Sequence, residues 1–433
     1  MPFRKSRSKL AGRGIAGAAI LPLAAVVLAA CGSSSSSTGT ATPSSANSTA
    51  PASKTTGAPL ILGVACSCSG PAASAFLEVP TFIQAWTKWD DSQGGVEGHP
   101  IEVKLLDDAG AAATALQNAK ALVQQDHVQA IVDMSNQDAA FQKYVETAGV
   151  PVVGGASYNS PAASSPDWFP TGGNLIAVGG YGLGAEAKAA GGSKYGVMYC
   201  AEAPVCGTFS APFAKSLQTA VGGMSLAYNA SIAASAPSYT AQCLAAKQAG
   251  VNALFIGDTP AVIPRVLTDC AQQGYTPKEY NLGGDVAQSV VQDSQANGMT
   301  VLQYSLPISV TSNPAGQLFH QIVDTYAPGI KSSPAYDDSL MWLMSGLQLF
   351  RTVALAQHLT PTSTPADVKT GLYGLKNETL GGIMAPTTYV KGKPTLINCW
   401  FTETVTDGKL LATSATPQCV PPDKVAALFK AFS

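Results

Sequence analysis

The chain has 433 residues, of which 46% are hydrophobic and only 12% charged, with 25 basic against 27 acidic side chains. The body holds no basic run, which argues against nucleic acid as a partner. Its length is more than one hydrophobic core usually serves, so two lobes are expected.

Residues 1–30 begin with Arg4, Lys5, Arg7 and Lys9 and continue into an apolar stretch from Ile15 to Ala30. A basic start, a short apolar run and small residues before a cut describe an export signal. The run is too short for a comfortable membrane span. Leu28-Ala29-Ala30-Cys31 resembles the lipobox of bacterial lipoproteins, in which cleavage leaves the cysteine as a lipidated N-terminus. Two or more acyl chains on Cys31 would anchor the protein stably; a plain cleaved signal or a short anchor helix is the bland alternative. Residues 31–57 are almost wholly Ser, Thr, Ala, Gly and Pro, with Lys54 the one charge. Such a segment cannot bury enough apolar area to offset the entropy of ordering, so it reads as a disordered tether. Without the signal, 20 basic residues face 27 acidic ones, a net charge of −7. The expected location is the outer face of the bacterial cytoplasmic membrane.

Cys31 aside, eight cysteines remain, an even number suited to an oxidising compartment. Local pairing favours Cys200 with Cys206, Cys243 with Cys270, and Cys399 with Cys419. Cys66 and Cys68 are left, and their one-residue spacing strains a mutual bond. A metal site at Cys66-Ser67-Cys68 lacks a histidine or a second close cysteine pair, so no metal is expected, and no cofactor either.

The body reads as repeated βα units. A strand is expected over 60–65, then a helix over 79–89 with Val79, Phe82, Ile83, Trp86 and Trp89 at helical spacing, ended by Gly94-Gly95. Strand 101–106 stops at Asp107-Asp108, and Asp108 is a candidate cap for the helix 112–124. Strand 130–132, helix 138–147 and strand 150–153 follow. After a strand-like stretch at 175–178 the pattern restarts. Strands are expected at 195–199, 226–232, 253–256, 280–282 and 300–305, with helices at 210–220, 239–248 and 263–273 between them. Helices at 317–326 and 336–358 come next. The apolar part of the latter, Leu340 to Phe350, is too short to span a bilayer and is closed by Arg351. A hairpin turning at Thr406-Asp407-Gly408 and a helix 424–432 complete the chain. Alternation of this kind implies α/β architecture with parallel sheets covered on both faces. Ligands of such sheets bind at the carboxyl ends of the strands, which directs attention to the segments just after each strand.

Ser69-Gly70-Pro71 after the first strand, Gly94-Gly95-Val96-Glu97-Gly98 before the second, and Asp107-Asp108 after it form an ordered set. Val150-Pro151-Val152-Val153 leading to Ser157–Pro161, Phe255-Ile256-Gly257 to Pro260, and Gly283-Gly284-Asp285 extend it. Together, behind a lipobox, they resemble the periplasmic leucine/isoleucine/valine-binding protein family, the substrate-binding components of branched-chain amino-acid ABC importers. The resemblance covers most of residues 59–410. It implies a type I periplasmic binding fold: two Rossmann-like α/β lobes with parallel sheets, joined by a three-strand hinge. Lobe 1 would comprise 59–178 with 308–378, and lobe 2 would comprise 179–307 with 379–433. The implied partners are a small-molecule ligand, a membrane ABC permease and the membrane itself through the lipid anchor, with the protein a monomer.

The resemblance also implies a division of labour. Hydroxyls and N–H groups of lobe 1 hold a ligand carboxylate, and Ser135, Asn136, Ser157, Tyr158 and Asn159 occupy that region, with donors suited to it. Ser69 sits in the first-strand turn, and Phe76 is a candidate stacking wall. An acidic residue of lobe 2 pairs with the ligand ammonium, and Asp285 matches it. Three departures argue against a branched-chain amino-acid pocket. Cys206 before Gly207 replaces an aromatic residue, Asp258 falls near another aromatic position, and Ala109-Gly110 stand where a cysteine usually follows the acidic pair. An inward Asp258 favours a more cationic or hydroxyl-rich ligand.

Two enzymatic readings compete. Gly182-x-Gly184-x-x-Ala187, with Glu202 about 20 residues on, approaches a dinucleotide fingerprint, although small residues at a lobe crossing that permit hinge movement account for it equally. No G-x-S-x-G or H-E-x-x-H motif occurs, and none of the four histidines follows a strand beside a nucleophile, so an exported α/β enzyme is the weaker alternative. A ligand-sensing subunit for a receptor kinase would share all the ligand chemistry.

Overall fold

The computed structural model describes residues 54–70, 73–158, 160–202 and 204–433. The signal segment, Cys31, most of the tether and Asn159 lie outside them. Two sheets organise the body. The first contains β1 (Leu60–Cys66), β2 (Ile101–Asp107), β3 (Ala130–Met134), β4 (Val152–Gly155) and β5 (Trp168–Phe169). All its pairings are parallel, in the order β2-β1-β3-β4-β5. Every residue of β3 is buried, as expected of a central strand covered by helices on both faces. The edge strand β2 instead alternates outward Glu102 and Lys104, charges that discourage further strand addition.

The second sheet begins with β6 (Lys194–Cys200), β7 (Ser225–Ile232), β8 (Ala253–Gly257), β9 (Lys278–Leu282) and β10 (Thr300–Gln303). Then β11 (Cys399–Thr406), β12 (Lys409–Ala412) and the short β13 (Gln418–Cys419) join it. The order is β12-β11-β10-β9-β8-β6-β7, with β13 against β11. Pairing is parallel from β7 to β10 and antiparallel from β10 onward. The β11–β12 turn places Asp407 at φ 50° and Gly408 at φ 71°, the left-handed pair that a tight hairpin needs.

The chain passes between the sheets three times, and the crossing segments bond to one another. Gly173 N donates to Tyr304 O at 2.6 Å, Leu306 N to Ile383 O at 2.8 Å and Asn174 N to Ile397 O at 2.8 Å. Between the second and third passages, helices return to the first sheet. Helix Pro314–Tyr326 stacks Phe319 on Phe82 of helix Val79–Gln93, with centroids 5.4 Å apart. Helix Ser339–Ala356 lies on β3 and β4. Its Gly346 approaches Gly154 so closely that a Cβ on Gly154 would stand 2.6 Å from the Gly346 Cα. This helix is longer than the apolar core read from the sequence, and its length and hydropathy would suffice for a membrane span, but 78% of it is buried inside the protein. Arg351 bonds Asp90 at 2.6 Å and stacks over Trp89.

Three local expectations need correction. Residues 175–178 are helical, with Asn174 capping helix Leu175–Ala177 by accepting from Ile176 N at 2.8 Å, and a π-turn runs on through Gly182. The glycine pattern therefore follows no strand, and its glycines serve close packing: a Cβ on Gly182 would meet Leu302 at 2.6 Å, and one on Gly184 would meet Leu217 at 2.4 Å. Asp108 does not cap the helix Ala112–Gln124; it is buried and accepts from Ser67, Gly110 and Ser135. Finally, Cys66 and Cys68 come together at disulfide distance, because the chain bends at the end of β1 and brings their Cα atoms to 5.2 Å. The pairs Cys200–Cys206, Cys243–Cys270 and Cys399–Cys419 are also at disulfide distance.

Candidate functional site

The carboxyl ends of β3, β4, β6, β8, β9 and β10 converge on one cavity. Asn136 follows β3 and Tyr158 follows β4. Phe76 arrives on the helix Ala73–Phe76, and Trp342 from the first turn of helix Ser339–Ala356. From the second sheet come Cys200 and Cys206, Asp258 and Thr259 after β8, Asp285 after β9, and the rings of Phe209 and Phe255; Tyr304 begins the second crossing segment. Tyr158, Tyr304 and Trp342 pack mutually with centroids 5.3 to 5.8 Å apart. Phe209 and Phe255 form a second pair at 4.6 Å. Gly284, at φ 85°, lets the second-sheet backbone meet Trp342, since a Cβ there would lie 2.4 Å from the indole. A larger opening adjoins the cavity, sharing Asn136, Tyr158, Leu175 and Val205 and reaching out to Phe432.

The electrostatics are one-sided. Asp258 is 4% exposed; its Oδ1 accepts from Thr259 N at 2.7 Å and its Oδ2 is buried without a partner. Burial pushes its pKa up to about 7, with Glu202 adding to the rise, while the Thr259 N–H, Arg265 and the Thr259 side chain oppose it. Asp285 is held well above the usual carboxylate range, first by burial and then by Asp258 and Asp337. No described side chain hydrogen-bonds to the Asp285 carboxyl. Among the described residues, no Lys, Arg or His lines the cavity. The Trp342 Nε1–H is buried without an acceptor. The pocket thus presents two acids and many ring faces, with no cationic side chain among the described lining residues.

A model of the periplasmic binding protein family matches residues 59–409. The chain belongs to that family. Its likeness is to the leucine/isoleucine/valine-binding branch with the type I fold, whose members are solute-binding proteins and not enzymes. Among solved structures, it is similar to a branched-chain amino acid ABC transporter protein from Thermus thermophilus with bound valine. The two share 12% identity, with 86% of this chain and 98% of that one covered, at a TM-score of 0.72. A leucine-binding protein from Thermotoga maritima matches at 16% identity over 84% and 100% of the two chains, TM-score 0.68. A solute-binding protein of an ABC transporter from Rhodopseudomonas palustris in complex with benzoate matches at 15% identity over 84% and 98%, TM-score 0.69. At these identities the structures establish the fold alone. Compared with curated proteins by sequence, the chain matches none.

Within this periplasmic binding protein, the sequence-derived candidates divide. Phe76, Asn136, Tyr158, Cys206, Asp258 and Asp285 all line the cavity. Ser69 is exposed, its N–H bonded to Asp107 at 3.2 Å, and is not in the lining. Ser135 is buried beneath the lining; its hydroxyl donates to Asp108 and accepts from Gln137 N at 2.9 Å. Ser157 is likewise turned inward, accepting from Gly172 N at 3.1 Å. Both hydroxyls are thereby committed to holding strand-end loops. Sequence reading missed Phe209, Phe255, Tyr304 and Trp342. Tyr304 carried a usable signal, since it directly follows a strand; Trp342, in an apolar helix, looked like any core residue.

Proposed function

We propose that the protein is an extracytoplasmic solute-binding lipoprotein, moored through Cys31 and its tether, that acts as a monomer and delivers a small ligand to a membrane ABC permease. Its lobes are taken as 59–178 with 308–378, and 179–307 with 379–433. The observation that carries this reading is a cavity lined from both sheets and roofed by a crossing segment. A ligand there touches both lobes at once only when they are together, so binding favours the closed arrangement. Moving the population from mostly open to mostly closed takes about 5.5 kcal/mol of differential affinity. Two or three buried charge-assisted bonds, at about 1.5–3 kcal/mol each, suffice. Support for a transport role also comes from the valine-bound and benzoate-bound proteins of the same fold, both described as ABC transporter proteins.

The test is a thermal-shift screen of amino acids, amides, polyols, amines and aromatic acids, followed by small-angle scattering. The expected result is a stabilising compound that shrinks the radius of gyration and is recovered unchanged. A stabilising compound that leaves the scattering profile unaltered, or is chemically converted, refutes the reading.

A further inference from the structure

We infer that the ligand is a small organic cation, an amine or quaternary ammonium on an apolar body, held by Asp258 and Asp285 against aromatic walls. The inference rests on the solute-capture reading above and adds the chemical class.

Three features of the cavity point to it together. The first is the pair of carboxyls: Asp258 Oδ2 is buried with no hydrogen-bond partner, and the partly buried Asp285 carboxyl takes no hydrogen bond from a described residue. A buried acid without a counter-group is costly unless something arrives to pair with it. The second is the ring set, Phe76, Tyr158, Phe209, Phe255, Tyr304 and Trp342, whose faces carry negative quadrupole and attract cations. The third is what a carboxylate would lack. Ser135 and Ser157 bond within the protein, and the Asn136 carbonyl accepts the Tyr158 hydroxyl. A zwitterion's acid end would find the Trp342 indole, the Asn136 amide N–H groups and the Thr259 and Tyr304 hydroxyls, but no cationic side chain, against two acidic side chains. The charged and titratable neighbours of Asp258 are Glu202, Arg265, Tyr239 and Asp285, and those of Asp285 are Asp258, Asp337, Tyr158 and Tyr304. Arg265 is spent on the carbonyls of Ala234 and Ala236. Burial raises both carboxyls above the ordinary carboxylate range, Asp258 to about 7, so a bound cation favours their ionised forms and proton release.

The probes are benzylamine, benzyltrimethylammonium, benzyl alcohol, benzoate and leucine, titrated calorimetrically at pH 6 and 8 in buffers of different ionisation enthalpy. At least one of the two cations is expected to bind tenfold or more tighter than benzyl alcohol, tighter still at pH 8, and with proton release. Asp258→Asn and Asp285→Asn should each reduce cation affinity at least tenfold more than they change benzyl alcohol affinity. Preference for the alcohol, benzoate or leucine overturns the cation assignment while leaving solute capture standing. Failure of both cations to bind also overturns it. Solute capture itself fails on the separate evidence of a stabilising compound that leaves the scattering profile unchanged or is chemically converted.

Discussion

Asp258→Asn removes an ionisable group and keeps an oxygen to accept the Thr259 N–H, so its effect on the ligand-free protein isolates the cost of burying the charge. The group's pKa is about 7 in the fold against an ordinary 3.8. Between those values the folded state binds more protons than the unfolded one, so stability falls as pH rises through that window and levels off above it. At the conversion of one pH unit to about 1.4 kcal/mol the full penalty is about 4 kcal/mol at pH 8, and about 2 kcal/mol at pH 5. An unfolding entropy of ~2.1 cal/mol/K per residue over roughly 375 residues makes 1 kcal/mol worth a little over 1 °C. The variant should therefore melt about 5 °C higher than the parent at pH 8 and about 2 °C higher at pH 5. Differential scanning fluorimetry across pH 4 to 9 reads both curves. Parallel curves, with one constant offset, would refute the claim that this carboxyl is buried at a cost.

Three further outcomes are expected. Asp285→Ala should weaken binding of the stabilising compound at least tenfold, measured by calorimetry, without lowering the melting temperature of the empty protein; unchanged affinity removes Asp285 from the site. Trp342→Ala removes a buried ring that backs Gly284 and two tyrosines, and should cost about 3–5 kcal/mol, read as a melting temperature several degrees lower together with loss of ligand-induced shrinkage. Arg351→Met strands the wholly buried Asp90, whose Oδ2 already lacks a partner. The expected loss is about 3–5 kcal/mol, and a variant as stable as the parent at pH 7 would show that the pair is dispensable.

The alternation of strands and helices was legible because each central strand is a short apolar run bounded by turn residues, and each helix carries its buried stripe at 3.6 spacing. Val79, Phe82, Ile83, Trp86 and Trp89 are all buried as that spacing requires, and the Gly94 cap has φ 94°. The loops that form the site were legible for the same reason, since a strand's end can be read even when a side chain's direction cannot. Direction is where reading stopped. Whether Ser135 faces a ligand or the protein depends on Asp108, 27 residues earlier, and Ser157 is settled by Gly172 N, 15 residues later. Trp342 sits among thirteen other buried residues of its helix, so periodicity could not separate wall from core. Leu175 misled because a β-branched, apolar stretch beside glycines fits a strand as well as a helix, and the Asn174 cap decides it.

The division of residues between the two halves of the cavity explains why a charged solute could drive closure. The acids Asp258 and Asp285 come from the second sheet, whereas Phe76, Tyr158 and Trp342 come from the first and its covering helices. With the lobes apart, a cation beside the acids remains in water, where a contact at 4 Å is worth about 1 kcal/mol. With the aromatic surfaces brought over it, the effective dielectric constant drops to about 20 and the same contact is worth about 4 kcal/mol. Two carboxylates then contribute about 6 kcal/mol that exists only in the closed state, close to the 5.5 kcal/mol that a full population shift needs. Ionising the Asp258 carboxyl, which burial raises to about 7, offsets part of this, which is why affinity should climb as pH rises. A neutral solute of the same shape gains none of the Coulombic difference, and its closure would have to come from buried apolar area alone.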